Sequence, residues 1–129
     1  MTTNTGADYM INILITFYSL VNGIDTNMAF QMARVESNMN PNALSRTNDG
    51  GLYQLNRKSY KFHNENWRFQ PVTNMAIALD SLRKLKNTCS HKVNNSYVLC
   101  FNSGIVGARR IKFPFKHPYY KKMNLMWRN

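Results

Sequence analysis

One carboxylate lies where a helix ought to be apolar. Ala29, Met32, Ala33 and Glu36 fall at spacings of three and four, so they share one face of a helix that runs to about Glu36. A surface glutamate sits opposite such a stripe. Glu36 instead continues it. A glycine-rich turn at Gly51-Leu52-Tyr53-Gln54 then brings a short polar segment back beside the helix end. A fold that buries this stripe holds Glu36 in a partly dry setting. Burial disfavours the charged form, so the carboxyl stays protonated near neutral pH, as a proton donor must. The competing reading is a glutamate paired with a buried arginine.

The rest of the chain reads mainly as helix. Residues 1–7 are expected to form a loose tail. Residues 8–20 form a helix that is apolar nearly all round, which predicts a central, buried element ended by Asn22-Gly23. Asp25 or Thr26 caps the next helix, and Asn40-Pro41 stops it. Residues 44–56 read as a short hairpin or irregular loop, with turn chemistry at Asn48-Asp49-Gly50-Gly51. Residues 57–70 are polar and aromatic and read as a loop with one helical turn. Pro71 opens a long helix with Met75, Ala78, Leu79, Leu82 and Leu85 on its core face. Another helix covers 96–101, after which Gly104 and Gly107 break the chain. Pro114 and Pro118 bracket a turn. The last helix spans 119–127, with Met123 and Met126 inward. This order predicts an α+β fold, mainly α, with a small β-hairpin beside a helical lobe in a single domain, 1–129.

Composition narrows the partners. With 129 residues and 43% hydrophobic content, the chain can bury a core. Seventeen basic and six acidic residues give a net charge of +11, which predicts attraction to polyanions, including anionic envelope polymers. The basic groups Arg83-Lys84-Lys86, Arg109-Arg110-Lys112 and Lys121-Lys122 are interrupted by apolar residues and read as solvated helix faces. Seven Tyr, seven Phe and two Trp allow a basic nucleic-acid-binding protein as the reading from another class. No recognised motif supports a specific nucleic-acid partner. Trp67 and Phe69 could stack on sugars or pack in the core. His63, His91 and His117 lack ligand spacing, so no metal or other cofactor is expected. Residues 10–21 are too short and too polar, with Asn12, Thr16 and Ser19, to span a membrane. They also lack the basic flank and cleavage site of a signal peptide. With no export signal, Cys89 and Cys100 are expected to be free buried thiols, a single bridge being the alternative.

Five segments, in order, carry a resemblance. Glu36-Ser37-Asn38-Met39-Asn40-Pro41-Asn42-Ala43-Leu44-Ser45 resembles the E-S-x-F-N-P-x-A-x-S motif of soluble-type (SLT) lytic transglycosylases of the lysozyme superfamily. Gly51-Leu52-Tyr53-Gln54-Leu55 is similar to their G-L-M-Q-I. The helix from Pro71 through Asn74, Ala78, Leu82 and Leu85 follows their P-x-x-N pattern. Phe101-Asn102-Ser103-Gly104 resembles Y-N-x-G, and Tyr119-Tyr120-Lys121-Lys122-Met123 resembles Y-V-x-K-V.

The resemblance implies a lysozyme-like fold with a glycan in the cleft between hairpin and helices. It implies that Glu36 is the sole acid/base. Glu36 would protonate the glycosidic oxygen between N-acetylmuramic acid and N-acetylglucosamine, then take the proton of the muramic 6-hydroxyl as a 1,6-anhydro sugar forms. Ser37, Ser45, Thr47, Gln54, Phe101, Asn102 and Tyr119 are the matching candidates for substrate binding. Ser45 and Thr47 would hold the N-acetyl group, Gln54 and Asn102 would bind sugar or orient Glu36, and Tyr119 would approach the carboxyl. Gln54, Asn102, Asn74 and Pro71 each also have a purely structural reading. Phe101 departs from the family tyrosine, so Tyr119 or Tyr97 has to supply that hydroxyl.

The same stretch resembles animal-type lysozymes, but the piece carrying their second carboxylate is missing. A hydrolytic lysozyme is therefore the alternative, with Asp49 or Glu65 as second carboxylate. Asp49 reads as turn chemistry and Glu65 lies in an unpatterned loop. The expected partner is the peptidoglycan glycan strand, and the expected state is a monomer. A bare catalytic domain suits a bacteriophage product, either an endolysin released from the host cytoplasm through a holin or a virion part.

Overall fold

A computed structural model describes residues 6–60 and 64–124. Five helices, α1 (Gly6–Asn22), α2 (Thr26–Ser37), α3 (Pro71–Thr88), α4 (Val98–Arg109) and α5 (Pro118–Lys122), surround a core. Two short strands, β1 (Asp49–Gly50) and β2 (Leu55–Asn56), make the only sheet among the described residues. They pair antiparallel, with Asp49 opposite Asn56 and Gly50 opposite Leu55. Three 3-10 turns (Glu65–Phe69, Val93–Asn95 and Pro114–Lys116) link the helices. The fold is the mainly helical α+β arrangement expected.

The core forms because each helix supplies an apolar stripe of matching period. Met28, Ala29, Met32 and Ala33 of α2 meet Met75, Ala78, Leu79 and Leu82 of α3, with Leu52, Tyr53 and Leu55 from the hairpin and Val98 and Leu99 from α4. Helix α3 packs on α1, on α4 and on the Glu65–Phe69 turn. Asp25 caps α2, its carboxylate accepting from the Met28 amide at 3.0 Å. The helix ends at Ser37, four residues before Pro41. Asn38 adopts left-handed φ 53° and its amide donates to the Arg34 carbonyl at 2.9 Å, so an αL cap stops the helix before proline could.

Asn74 joins the two lobes. Its side chain is fully buried at the start of α3. Oδ1 accepts from the Tyr53 amide at 2.8 Å, and Nδ2 donates to the carbonyls of Gly50 at 3.0 Å and Arg68 at 2.8 Å. Gly51, at φ 83°, permits that approach. A Cβ there would lie 2.1 Å from the Arg68 carbonyl oxygen and 2.2 Å from Asn74 Nδ2. Buried Arg68 completes the support, donating to the Asn48 and Leu55 carbonyls at 2.7 and 3.1 Å.

Several expectations need correction. Helix α1 begins at Gly6, inside the segment read as a tail, and residues 1–5 lie outside the described residues. It is also not central. Ile11, Ile15 and Ser19 are buried, while Tyr9, Met10, Ile13, Phe17, Leu20 and Val21 are each more than half exposed. Hydropathy reported an apolar helix but not how many neighbours cover it. Asp49 and Gly50 are strand, and the turn between the strands is residues 51–54. Helix α4 kinks at Gly104 (φ 75°, ψ 163°) but continues past Gly107 to Arg109. Helix α5 is short, ending at Lys122, with Met123 buried after it. Met126 and Trp127 lie outside the described residues.

The cysteines are not free. Cys89, capping α3, is bonded to Cys100 on α4, with Cα atoms 6.0 Å apart. The packing of α3 on α4 brings the two buried sulfurs together, which an argument from the lack of an export signal could not register. Replacing both cysteines by serine is expected to cost about 2–3 kcal/mol in urea unfolding, the order for a short closed loop. A reductant should lower the midpoint of the wild type and leave that of the double variant unmoved. Asn74→Ala leaves the Tyr53 amide and two carbonyls without their partner. It is expected to cost about 2–4 kcal/mol in the same assay.

Candidate active site

A cleft of about 790 Å³ opens between the hairpin and the helical lobe. Glu36 from the last turn of α2, Ser45, Asp49, Gln54 and Asn56 from the hairpin region, Ser81 and Leu85 from α3, and Phe101 to Ile105 from α4 line it. Helix α2 delivers Glu36 because the stripe that buries Ala29, Met32 and Ala33 emerges from the core one turn later. The left-handed residues Asn38 and Met39 then turn the chain towards the hairpin.

Glu36 is half-buried, and its hydrogen-bond partner is a tyrosine rather than an arginine. Tyr119 donates from its hydroxyl to Glu36 Oε2 at 3.0 Å. Burial raises the Glu36 pKa from 4.5 to about 7. The Tyr119 hydrogen bond pulls the other way, and the negative charge of Asp49 adds to the rise. Tyr119 is itself buried, and its own pKa is raised by burial and by Glu36. It therefore stays a neutral donor beside a carboxyl that is poised between acid and base at neutral pH.

Asp49 faces the same cleft in a different condition. Its Oδ2 accepts from Thr47 Oγ1 at 2.6 Å and from Ser45 Oγ at 3.3 Å, and its Oδ1 accepts from Asn56 Nδ2 at 2.8 Å. The Ser45 hydroxyl also accepts from the Asp49 amide at 3.0 Å. Three side-chain donors engage one carboxylate. The cleft thus holds two carboxyl groups in contrasting surroundings, one partly dry and one solvated by fixed polar groups.

The other expected residues divide. Ser45, Gln54, Phe101 and Asn102 line the cleft. Gln54 also ties the hairpin, Nε2 donating to the Ala43 and Gly51 carbonyls at 3.1 and 3.0 Å. Thr47 stands behind Asp49 rather than in the wall. Ser37 turns inward: it is buried and its hydroxyl donates to the Ala33 carbonyl at 3.0 Å, so it serves the end of α2 instead of the cleft. Phe101 lines the wall without a hydroxyl. Tyr97 does not replace it, being buried near Asp25 at the opposite end of α2 from Glu36. Tyr119 supplies the phenol instead. Trp67 is exposed on its 3-10 turn and Phe69 packs near Gly50. Neither is among the cleft-lining residues described. The Glu65 side chain and His63 lie outside the described residues.

Sequence reasoning missed Asn56, Ser59, Tyr60, Ser81 and Leu85 as cleft wall. The Tyr60 hydroxyl and Ser81 Oγ lie 3.2 Å apart and join the loop to α3. The four-residue spacing of Ser81 and Leu85 was the available signal. Leu85, read as core, lies at the edge where the core meets the cleft. No lysine or arginine lines the cleft among the described residues, which does not suit a polyphosphate backbone. No group of His, Cys, Asp and Glu suited to a metal ion occurs among those residues.

Compared with known families, residues 13–124 match the transglycosylase SLT domain. No curated protein matches the chain.

Activity that needs protonated Glu36 is expected to fall as pH rises through about 7. Asp49→Asn removes a neighbouring negative charge and should move that limb to lower pH. Tyr119→Phe removes a bond that favours the carboxylate and should move it higher. Rate–pH profiles of the three proteins check this, and profiles that coincide would contradict it. Stability follows the same linkage. Because the folded pKa lies above the unfolded value, protonated Glu36 contributes stability that is full below about 4.5 and is lost as pH rises through about 7. Glu36→Gln should therefore gain on wild type in thermal unfolding at pH 8 and not at pH 4, by on the order of 3 kcal/mol at most.

Proposed function

The chain belongs to the transglycosylase SLT family, and we propose that it is a peptidoglycan lytic transglycosylase with Glu36 as its only acid/base. It cleaves the β-1,4 bond between N-acetylmuramic acid and N-acetylglucosamine. Protonated Glu36 donates to the glycosidic oxygen as the bond breaks. The resulting carboxylate, steadied by the Tyr119 hydroxyl, then accepts the proton of the muramic 6-hydroxyl, which closes on the anomeric carbon and leaves a 1,6-anhydro sugar. Gln54 and Asn102 bind sugar across the cleft, and Ser45 presents a hydroxyl to the N-acetyl group. On this reading the setting is breakdown of a bacterial wall during bacteriophage lysis or entry. A net charge of +11 would help to hold the enzyme on an anionic envelope.

The observation that carries the reading is one carboxyl with a pKa of about 7, hydrogen-bonded to a buried tyrosine in an open cleft. A second observation keeps the hydrolase in view. Asp49 lines the same cleft and acts on Glu36 through its charge. Its oxygens are engaged by Ser45, Thr47 and Asn56, which suits a fixed negative charge better than a nucleophile or a base for water.

Mass spectrometry of muropeptides released from purified peptidoglycan separates the two. Wild type is expected to release anhydro-muropeptides, and Glu36→Gln to lose at least about 100-fold of that release, by the scale of general acid–base catalysis, about 10²–10⁴. Reducing-end products that vanish in both Glu36→Gln and Asp49→Asn would identify a lysozyme instead.

A further inference from the structure

The exposed residues of α1 form a single surface. Tyr9, Met10, Ile13, Phe17, Leu20 and Val21 are between 56% and 68% exposed. At about 3.6 residues per turn they fall within an arc of roughly 120°. No other helix carries more than one exposed large apolar side chain among the described residues. The opposite face, Ile11, Ile15 and Ser19, is the one packed on α2 and α3. The helix has two apolar faces, and the described residues cover one. A contiguous patch of this kind marks an interaction site.

Charge decides the occupant. The only charged residue in α1 is Asp8, in its first turn. A helix seam that pairs with a second copy carries flanking charges of both signs to fix register. Here there are none, and two copies at +11 each repel. An anionic lipid surface reverses that sign. The far end of the stripe is basic. Lys86 Nζ donates to the Gly23 carbonyl at 2.7 Å, just past the end of α1, and Lys92 Nζ donates to the Lys86 carbonyl at 2.9 Å. The ammonium group of Lys86 thus stands at the C-terminal end of an apolar, aromatic-bearing face about 18 Å long, with that of Lys92 behind it. That is the pairing of apolar area and positive charge that seats a helix in the plane of a membrane interface. No described helix is long and apolar enough to cross a membrane, so the contact is lateral. None of the residues lining the cleft belongs to α1, so a glycan can enter while α1 is covered.

We propose that α1 is an in-plane docking face for an anionic phospholipid bilayer, with Lys86 and Lys92 as its basic flank. It holds whichever bond-cleaving chemistry the cleft performs.

The test is flotation of the full chain with vesicles of phosphatidylglycerol and phosphatidylcholine, and with phosphatidylcholine alone. Wild type is expected to float with the anionic vesicles and at least tenfold less with the neutral ones. Ile13→Ser with Phe17→Ser should lose at least tenfold on anionic vesicles. Both sites face solvent, so unfolding curves should stay unchanged. Lys86→Gln with Lys92→Gln should lose severalfold. Phe17→Trp should shift its fluorescence to the blue on anionic vesicles only. Equal binding by wild type and the serine variant would mean diffuse charge attraction and would overturn the proposal. So would an absence of binding. A wild-type dimer in light scattering that the serine substitutions convert to monomer would overturn it in favour of a second copy.

Discussion

One buried amide holds this molecule in register. Asn74 uses both ends of its side chain, accepting from the Tyr53 amide in the turn and donating to the carbonyls of Gly50 at the end of β1 and of Arg68. The sheet is two residues deep on each strand and would not hold a shape in isolation. Its position comes from α3, through Asn74, and from the guanidinium of Arg68 beneath it. Every hairpin group in the cleft inherits that placement. Gly51 is the matching concession, because any side chain there would occupy the space of the amide.

Against this wall the helical lobe sets Glu36. Ordinary core packing does most of the work. The stripe that buries Ala29 and Ala33 continues into Glu36, and the desolvation that follows lifts its pKa to about 7. Tyr119 restrains the rise and Asp49 adds to it. Asp49 is itself solvated by three side-chain donors, so the two carboxyl groups share a cleft without sharing a condition. The family's peptidoglycan chemistry is thus supported by packing and hydrogen bonding among residues that local pattern could largely identify.

What the sequence made legible follows from the range of each signal. Helix α3 and the stripe of α2 could be read because periodicity and caps are local. Glu36 stood out because it broke a local rule. The fate of α1 was hidden, since hydropathy does not count neighbours. The Cys89–Cys100 bond was hidden too, because it depends on how α3 meets α4. Ser37 illustrates the limit of motif reasoning. It adjoins the acid in sequence, yet one step along a helix turns a side chain by about 100° and sends its hydroxyl into the backbone. Ser59 and Tyr60 had no pattern to betray them, since a cleft wall gathers residues from separate elements.

The bond between Tyr119 and Glu36 spans 83 positions of the chain. Synthesis runs from the amino end, so the acid leaves the ribosome long before the phenol that steadies it. Until the segment carrying Tyr119 has emerged and docked, the carboxyl lacks the one hydrogen-bond donor it has among the described residues. Completion of the chain therefore acts as a timer on the site. An unfinished or shortened product carries the acid without the setting that tunes it.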